Sequence, residues 1–152
     1  MNGNMSVVSY SSAQARVLIH FMFKVKYCHR IFEDKQVEKR CGEILQEAAR
    51  EHGMRVDCIG FDKDHLHGIF DIGLLPVWQA VKVLKGRTAK YLLKEFPHLK
   101  KKYFWGSGLW NPSYWADSVG PANYQTIQNY VQNQGKNFKP IILTGQTKLK
   151  LN

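Results

Sequence analysis

The sequence predicts an α+β fold in which one antiparallel sheet is covered by amphipathic helices. Four runs are rich in apolar, β-branched and aromatic residues, as strands are. Three other segments carry apolar residues every three or four positions, which is the spacing of one face of a helix. At 152 residues, the chain is long enough for one domain with a substantial core.

The first predicted strand covers residues 16–23, and the first helix covers residues 34–52. Alternation along the strand places four apolar side chains on one face: Val17, Ile19, Phe21 and Phe23. Asp34 suits the N-cap of the helix, and Gly53 suits its stop. Between this strand and this helix lies a basic, aromatic corner that includes Lys26, Tyr27 and Arg30. Its composition suits phosphate contact and base stacking, although a solvated loop is the simpler interpretation.

The second and third strands are predicted at residues 54–61 and 66–72. Only the polar turn at residues 62–64 separates them, so they form a hairpin. Pro76 opens a second helix that Pro97 stops. This helix is strongly basic, with five cationic residues: Lys82, Lys85, Arg87, Lys90 and Lys94. Gly86 lies in the middle of this helix, where glycine lowers helix stability. Its presence indicates close approach of the backbone by nucleic acid or by a partner helix, or else a simple kink.

The last third of the domain is predicted as a basic, mobile loop at residues 100–108, an aromatic strand at 109–118 and a helix that Asn123 caps. Pro112 indicates an edge position or a bulge in that strand. Four residues share the inner face of the last helix: Ile127, Tyr130, Val131 and Gln134. The order β-α-β-β-α-β-α predicts a ferredoxin-like (RRM-like) sandwich, a four-stranded antiparallel sheet with helices on one face. We divide the chain into a flexible leader (1–15), this domain (16–135) and a basic C-terminal tail (136–152).

The positive charge is confined to one half of the chain. Residues 1–71 hold 10 Lys/Arg and 10 Asp/Glu, whereas residues 72–152 hold 12 Lys/Arg and only Glu95 and Asp117 as acids. The second half therefore carries the whole net charge of +10. One-sided basic charge favours a polyanionic partner, most often nucleic acid, over a surface that is basic only for solubility.

Cysteine usage and hydropathy limit the class of protein. Three cysteines without a C-x-x-C pair argue against a disulfide framework and against a zinc knuckle. The sequence contains no apolar run long enough for a membrane span, and residues 1–12 do not resemble a signal peptide. We expect a cytoplasmic, nucleoid-associated prokaryotic protein.

Two histidines on the third strand are the candidate metal ligands. Because side chains alternate along a strand, His65 and His67 share a face at a Cα separation of roughly 7 Å, within reach of one cation. Two histidines on a half-exposed strand are the simpler interpretation of the pair alone. Tyr130 and Gln134 on the last helix strengthen the metal interpretation, because two imidazoles and an oxygen ligand make an open site for Mg²⁺ or Mn²⁺. Such an ion would polarise a phosphodiester that a tyrosine hydroxyl attacks.

These residues resemble the single-strand HUH tyrosine transposases of the IS200/IS605 insertion sequences. The segment Asp64-His65-Leu66-His67 is similar to the family's Asp-His-hydrophobic-His strand, and Tyr130-Val131-x-x-Gln134 to its catalytic helix. The similarity covers roughly residues 16–135 and includes further segments: Lys26-Tyr27 with Arg30, Lys85-Gly86-Arg87-Thr88, Leu109-Trp110, Ser113-Tyr114-Trp115 and Val119-Gly120. One departure is Gly68, where the family more often has a large apolar residue; we expect only a packing change there.

The resemblance implies a role for each matched residue. His65, His67 and Gln134 would bind Mg²⁺ or Mn²⁺, and Tyr130 would be the nucleophile that forms a 5′-phosphotyrosine and releases a 3′-OH. Tyr124 is a less favoured rival for that role. Single-stranded DNA hairpins at element ends would be the substrate, bound through basic residues: Lys26, Arg30, Lys82, Lys85, Arg87 and Lys90. The resemblance also implies a homodimer in which the tyrosine helix of one subunit completes the site of the other.

Two other functions are compatible with the same sequence. One is a domesticated relative that acts as a single-strand nuclease on chromosomal hairpins. The other is a metal-independent module that binds single-stranded nucleic acid on a similar sandwich. The second alternative needs exposed aromatic residues on the middle strands, where this sequence has histidines.

Overall fold

The computed structural model describes residues 8–9, 14–103, 106 and 108–133. Two short 3₁₀ turns, Lys26–Cys28 and Ile31–Glu33, connect the first long strand to the first helix. The strands and α-helices within these residues are β1 (Val8–Ser9), β2 (Gln14–Ala15), β3 (Leu18–Lys24), α1 (Lys35–Glu51), β4 (Arg55–Phe61), β5 (His65–Asp71), α2 (Val77–Glu95), α3 (Pro97–Lys102), β6 (Trp115–Ser118) and α4 (Tyr124–Gln132).

Four of the strands form one antiparallel sheet in the order β4-β5-β3-β6. The hairpin β4–β5 lies beside β3, which is reached through α1, and β6 returns to the other side of β3 after α2. This arrangement confirms the predicted ferredoxin-like α+β fold. Among the described residues β6 has only β3 as a neighbour, which confirms that the last strand is an edge strand, although Pro112 itself precedes it.

The main core lies between the sheet and the helices α1 and α2. The sheet contributes Phe21, Phe23, Leu66 and Phe70, all with 0% exposure. The side chains of β3 and β5 that alternation assigns to the covered face therefore do face the helices. The helices contribute the apolar positions predicted from their periodicity, among them Val37, Cys41, Ile44, Leu45, Ala80 and Leu84.

Helix α4 covers the opposite face of the sheet, so the expectation that the helices lie on one face is wrong for this element. Its Ile127 and Val131 pack on Leu18, Cys58 and Ile69 in a second, smaller core. The physical reason is that β3 and β5 carry apolar residues on both faces, and the second set also needs a cover. The face of α4 predicted from its periodicity is the face that packs.

Helix ends follow the predicted chemistry at α1 but not at α4. The carboxylate of Asp34 accepts hydrogen bonds from the amides of Gln36 and Val37, and Gly53 has φ of 70°, as a helix stop requires. Asn123 holds the N-cap position of α4 without a side-chain capping bond. Its Oδ1 accepts a hydrogen bond from the amide of Gly120 instead and closes the preceding turn.

Two local predictions are wrong between α2 and α4. Residues 97–102, of which 100–102 belonged to a predicted loop, form α3, because Pro97 occupies its first turn, where proline needs no amide hydrogen. Residues 111–114 are not strand: the side chain of Asn111 accepts hydrogen bonds from the amide and hydroxyl of Ser113, which bends the chain. Within residues 109–114, the part of the predicted strand before β6, the strand-like pairing is one isolated bridge between Trp110 and Val25.

The terminal segments are described only in part. In the leader, β1 and β2 pair antiparallel, and residues 136–152 and Gln134 lie outside the described residues. Among the helices that are described, none combines the length and the apolarity that crossing a bilayer requires. Cys41 and Cys58 are buried and Cys28 is exposed, and all three are free thiols.

Candidate active site

The two histidines of β5 lie on the sheet face that α4 covers. Their ring centres are 5.3 Å apart. In the register of the sheet, His65 is opposite Lys24 of β3, and His67 is between Met22 of β3 and Gly60 of β4. The pair therefore sits in the middle of the sheet, on a strand that is hydrogen-bonded on both sides.

His67 is almost fully buried, at 2% exposure, and both of its ring nitrogens have polar neighbours. Its Nδ1 lies 3.0 Å from Nε2 of His20, and its Nε2 lies 3.5 Å from the hydroxyl of Tyr130. The structure therefore brings together one predicted metal ligand, the predicted nucleophile and a third residue, His20, that sequence reasoning did not select. The sequence signal for His20 is weak. Alternation along the first strand shows only that its side chain points away from the face of Phe21, and the pairing of β3 with β5 is what brings it to His67.

His65 is held by the residue that precedes it. Its Nδ1 donates to Oδ1 of Asp64 at 2.7 Å. Carboxylates commonly orient metal-binding histidines in this way, because the bond fixes the ring and places the lone pair on Nε2. Asp64 is part of the quoted sequence segment, but sequence reasoning assigned it no role.

Tyr130 reaches the site from α4. Its ring meets that of His67 edge to face, at a centre distance of 5.1 Å and an interplanar angle of 89°. Burial, followed by the charge of Asp62, raises the pKa of the Tyr130 hydroxyl. The hydroxyl is therefore protonated at neutral pH, and its attack on phosphorus would depend on polarising the phosphate more than on prior ionisation.

Burial keeps the two buried histidines, His20 and His67, neutral. It lowers the pKa of His20 to about 4. It also lowers the pKa of His67 to about 3, with further contributions from His20, His65 and Lys24. A neutral imidazole has a lone pair for a cation, so low pKa values suit metal ligands.

The rival tyrosine, Tyr124, is engaged at the other end of α4. Its hydroxyl donates to Asp57 at 2.5 Å and accepts from Gln128 at 3.1 Å. Burial and the Asp57 carboxylate raise its pKa to about 12. Six residues of helix separate it from Tyr130, which is about 9 Å along the axis. This geometry favours Tyr130 as the nucleophile.

The donor set fits a small divalent cation only in part within the described residues. No group of three His, Cys, Asp or Glu side chains among those residues could hold a metal ion. The two imidazoles are adjacent, and their Nδ1 atoms bond to Asp64 and His20, which is the outer support typical of metal-binding histidines. The remaining predicted ligand, Gln134, lies outside the described residues.

The predicted DNA-binding residues of α2 lie across the sheet from the histidines. Lys85 is half-buried, and its ammonium donates to the carbonyls of Asn111 and Ser113, both at 2.7 Å. These two bonds tie the 109–114 segment to the helix, and burial lowers the pKa of the ammonium. Arg87 pairs with Glu51. Lys82 and Lys90 are exposed.

The basic corner adjoins the histidine strand and has a strained backbone. Tyr27 and Cys28 have φ of 58° and 55°, a left-handed conformation that is uncommon for residues other than glycine. The amide of Val25 bonds to the carbonyl of Asp64, which ties the corner to the residue before His65. Tyr27 is 69% exposed, and the ammonium of Lys26 lies 5.6 Å from its ring centre. Arg30 is exposed and pairs with Glu33.

Comparison with known proteins assigns the family. A four-stranded sheet with a histidine pair beside a tyrosine on a helix is the arrangement by which the sequence resembles the single-strand tyrosine transposases. The model of the family described as "Transposase IS200 like" matches residues 13–134. The chain is 32% identical over 118 residues to the ISDra2 transposase TnpA of Deinococcus radiodurans, which covers 76% of this chain and 81% of that protein.

Solved structures agree with this assignment. The crystal structure of a candidate transposase from Deinococcus radiodurans R1 matches with a TM-score of 0.63 and 30% identity over 83% of this chain and 96% of that one. A REP-associated tyrosine transposase bound to a REP hairpin has the same fold, with a TM-score of 0.54 and 12% identity over 81% and 69% of the two chains. The chain belongs to the IS200/IS605 family of HUH tyrosine transposases.

Proposed function

We propose that this transposase cleaves and rejoins single-stranded DNA at the ends of an insertion sequence through a covalent 5′-phosphotyrosine at Tyr130. The observation that carries the proposal is the position of the Tyr130 hydroxyl, 3.5 Å from Nε2 of His67. Membership of a transposase family supports strand transfer as the class of reaction. Helix α4 and strand β5 supply the two groups, so the proposed site depends on the packing between them.

The proposed reaction is a transesterification at phosphorus. The Tyr130 oxygen forms a bond to the phosphorus, and the bond from phosphorus to the 3′ oxygen of the upstream nucleotide breaks. The tyrosine proton is lost to water, and the departing 3′ oxygen takes up a proton to become a 3′-OH. Rejoining reverses these steps with a second 3′-OH, so the phosphodiester energy is conserved and ATP is not required.

The metal in this proposal is Mg²⁺ or Mn²⁺, held by His65, His67 and Gln134. When bound, the ion would act as a Lewis acid on the phosphate oxygens. The chain itself would do the rest. Asp64 and the neighbouring strands hold the imidazoles in place, and α4 positions the tyrosine over them.

The proposed substrate is a DNA hairpin with single-stranded flanks. The structural relative bound to a REP hairpin supports this choice. So does the basic corner, where Lys26 and the exposed Tyr27 ring adjoin the histidine strand: a cation next to an aromatic face suits a phosphate and an unpaired base. Lys82 and Lys90 would contact phosphates on the other side of the sheet, and Arg30, Lys85 and Arg87 would do so only by exchanging their present partners.

We also propose that the protein acts as a homodimer in which α4 of one subunit completes the site of the other. The small size of the second core supports an exchangeable helix: among the described residues, α4 buries Ile127 and Val131 against the sheet, and its polar contacts there include the bond from Tyr124 to Asp57. Sedimentation of the protein would test the dimer. Mixing a Tyr130→Phe chain with a His67→Ala chain would test the exchange. If neither variant cleaves by itself but the mixture does, Tyr130 of one subunit must act with His67 of the other.

The covalent intermediate can be trapped directly. Labelled hairpin oligonucleotides from the flanking DNA are mixed with the protein and Mn²⁺, denatured in SDS and examined for a protein–DNA adduct. We expect Tyr130→Phe and His67→Ala to form no adduct while still binding DNA. Tyr124→Phe is the matched control, because it removes a tyrosine hydroxyl from the same helix and should keep cleavage.

Three results would contradict the proposal. An adduct that persists in Tyr130→Phe would show that another residue is the nucleophile. If Tyr124→Phe abolishes the adduct, that residue is Tyr124. Tight binding without an adduct and without a metal effect would favour a metal-independent binding module. Cleavage of chromosomal hairpins, with no insertion-sequence ends in the flanking DNA, would favour a domesticated nuclease.

A further inference from the structure

His20 is a buried polar residue in a place where an apolar side chain would pack. It lies in the middle of β3, is 1% exposed, and contacts the rings of Trp115 and Tyr130 at centre distances of 4.9 and 6.1 Å. Buried polar groups are normally hydrogen-bonded. The Nε2 of His20 meets this requirement at His67, but its Nδ1 is buried and has no hydrogen-bond partner among the described residues.

The contact between His20 and His67 admits two proton arrangements. Two neutral imidazole nitrogens 3.0 Å apart share one hydrogen, so one ring donates and the other accepts. In the first arrangement His20 donates from Nε2, so His67 carries its own proton on Nε2, the atom that faces Tyr130. In the second, His67 donates from Nδ1, so its Nε2 has a lone pair and the His20 proton moves to Nδ1.

Only the second arrangement leaves Nε2 of His67 able to bind a cation. It places an N–H on Nδ1 of His20, where no described residue accepts it. Buried N–H groups without an acceptor are rarer than unsatisfied acceptors, so the metal-free protein should favour the first arrangement. His65 differs, because a carboxylate accepts its Nδ1–H whether or not a metal is present.

We infer that His20 is a positioning residue that sets the ring orientation and the tautomer of His67, and that this tautomer switches when a cation binds. The inference rests on the proposed metal site and goes beyond it, because it assigns a role to a third histidine. His65 and His67 are then not equivalent. His65 keeps its Nδ1–H tautomer with or without a cation, whereas His67 hydrogen-bonds to Tyr130 until a cation displaces that bond.

Nuclear magnetic resonance on ¹⁵N-histidine protein tests the switch at one neutral pH. Long-range ¹H–¹⁵N spectra distinguish Nδ1–H from Nε2–H. In protein treated with EDTA we expect His65 as Nδ1–H and His67 as Nε2–H. Diamagnetic Mg²⁺ should convert His67 to Nδ1–H and leave His65 unchanged.

Variants of His20 test the positioning role by a readout other than activity. The binding of Mn²⁺ is measured from the paramagnetic resonance of the free ion. We expect His20→Phe, which keeps an aromatic ring of similar size, to weaken Mn²⁺ binding by about 10- to 100-fold. His20→Gln keeps an acceptor and should restore part of the affinity. Ile69→Val is the control for packing, because Ile69 is the cross-strand neighbour of His20.

The outcomes separate this inference from the proposed function. Wild-type binding of Mn²⁺ with equal binding by His20→Phe would overturn the inference and leave the metal site intact. The same holds if His67 is already Nδ1–H in the metal-free protein. Absence of Mn²⁺ binding by the wild type would overturn the metal site itself, and the inference with it. Thermal unfolding of each variant shows whether it is folded.

Discussion

Replacing Gly68 by alanine tests how β5 packs at the centre of the sheet. Gly68 follows His67 along β5 and lies on the opposite face of the sheet, which α1 and α2 cover. A Cβ at this position would lie 2.4 Å from Cε2 and 3.0 Å from Cζ of Phe70, and 3.2 Å from the carbonyl oxygen of Cys58. The Phe70 ring therefore occupies the space that a side chain at position 68 would need.

The cost follows from how little the Phe70 ring can move. Its exposure is 0%, and the Phe21 ring lies 5.7 Å away, centre to centre. Overpacking of a core costs about 1–3 kcal/mol. Removing the flexibility of glycine from the unfolded chain returns about 0.5–1 kcal/mol. Because the 2.4 Å approach is severe, the upper part of the overpacking range, about 2–3 kcal/mol, applies, and we expect Gly68→Ala to lower the free energy of unfolding by a net ~1–2.5 kcal/mol.

Gly86→Ala is the matched control with the opposite sign. Gly86 lies inside α2, and apart from its chain neighbours and the adjacent backbone of α2 no described atom comes within 4 Å of a Cβ there, so a partner helix within the described chain does not explain this glycine. Alanine should stabilise the helix by about 0.5–1 kcal/mol. Urea unfolding of both variants measures the pair. If DNA approaches this backbone, Gly86→Ala will also weaken binding to single strands.

A Gly68→Ala protein as stable as the wild type would refute the reasoning. A double variant with Phe70→Leu makes the test sharper, because a smaller side chain at 70 should accept the new methyl group. The two substitutions should therefore cost less together than the sum of their separate effects. Strict additivity would mean that the Phe70 ring does not occupy the space beside Gly68.

Three further predictions concern charge and exposed rings. In EDTA, the stability contributed by neutral His20 and His67 should be complete above about pH 6.5, because their folded pKa values lie below the unfolded value. It should be lost as the pH falls through about 4 for His20 and about 3 for His67. Urea unfolding across this range measures the loss, and a flat profile would contradict it. Arg40→Met should lower the free energy of unfolding by about 1 kcal/mol and make it less sensitive to salt. The reason is that the guanidinium bonds to both carboxylate oxygens of Glu95 and links α1 to α2. An unchanged urea midpoint would argue against the link. Tyr27→Asn, which tolerates a left-handed backbone, should weaken single-strand binding by roughly 5- to 100-fold with an unchanged salt slope, whereas Tyr27→Phe should not; equal affinities of both variants would exclude stacking on this ring.

The periodic features of this protein were predictable from the sequence because they depend on neighbouring residues. Alternation in residues 66–72 and in β3 assigned the covered face correctly, although Val17, which precedes β3, is 40% exposed. Helical spacing found α1, α2 and the inner face of α4. The Asp34 cap and the Gly53 stop are also local, since each acts within one turn of helix. The shared face of His65 and His67 follows from the same period of two.

Tertiary structure decided which of these features meet. His20 lies 47 positions from His67, and their contact depends on the register that pairs His20 with Ile69. The side of the sheet that α4 covers, and the use of Lys85 to hold two backbone carbonyls, likewise arise from packing of the whole chain. Local patterns specify directions of side chains, whereas contacts between distant segments depend on the burial of all apolar faces at once, which no single segment encodes.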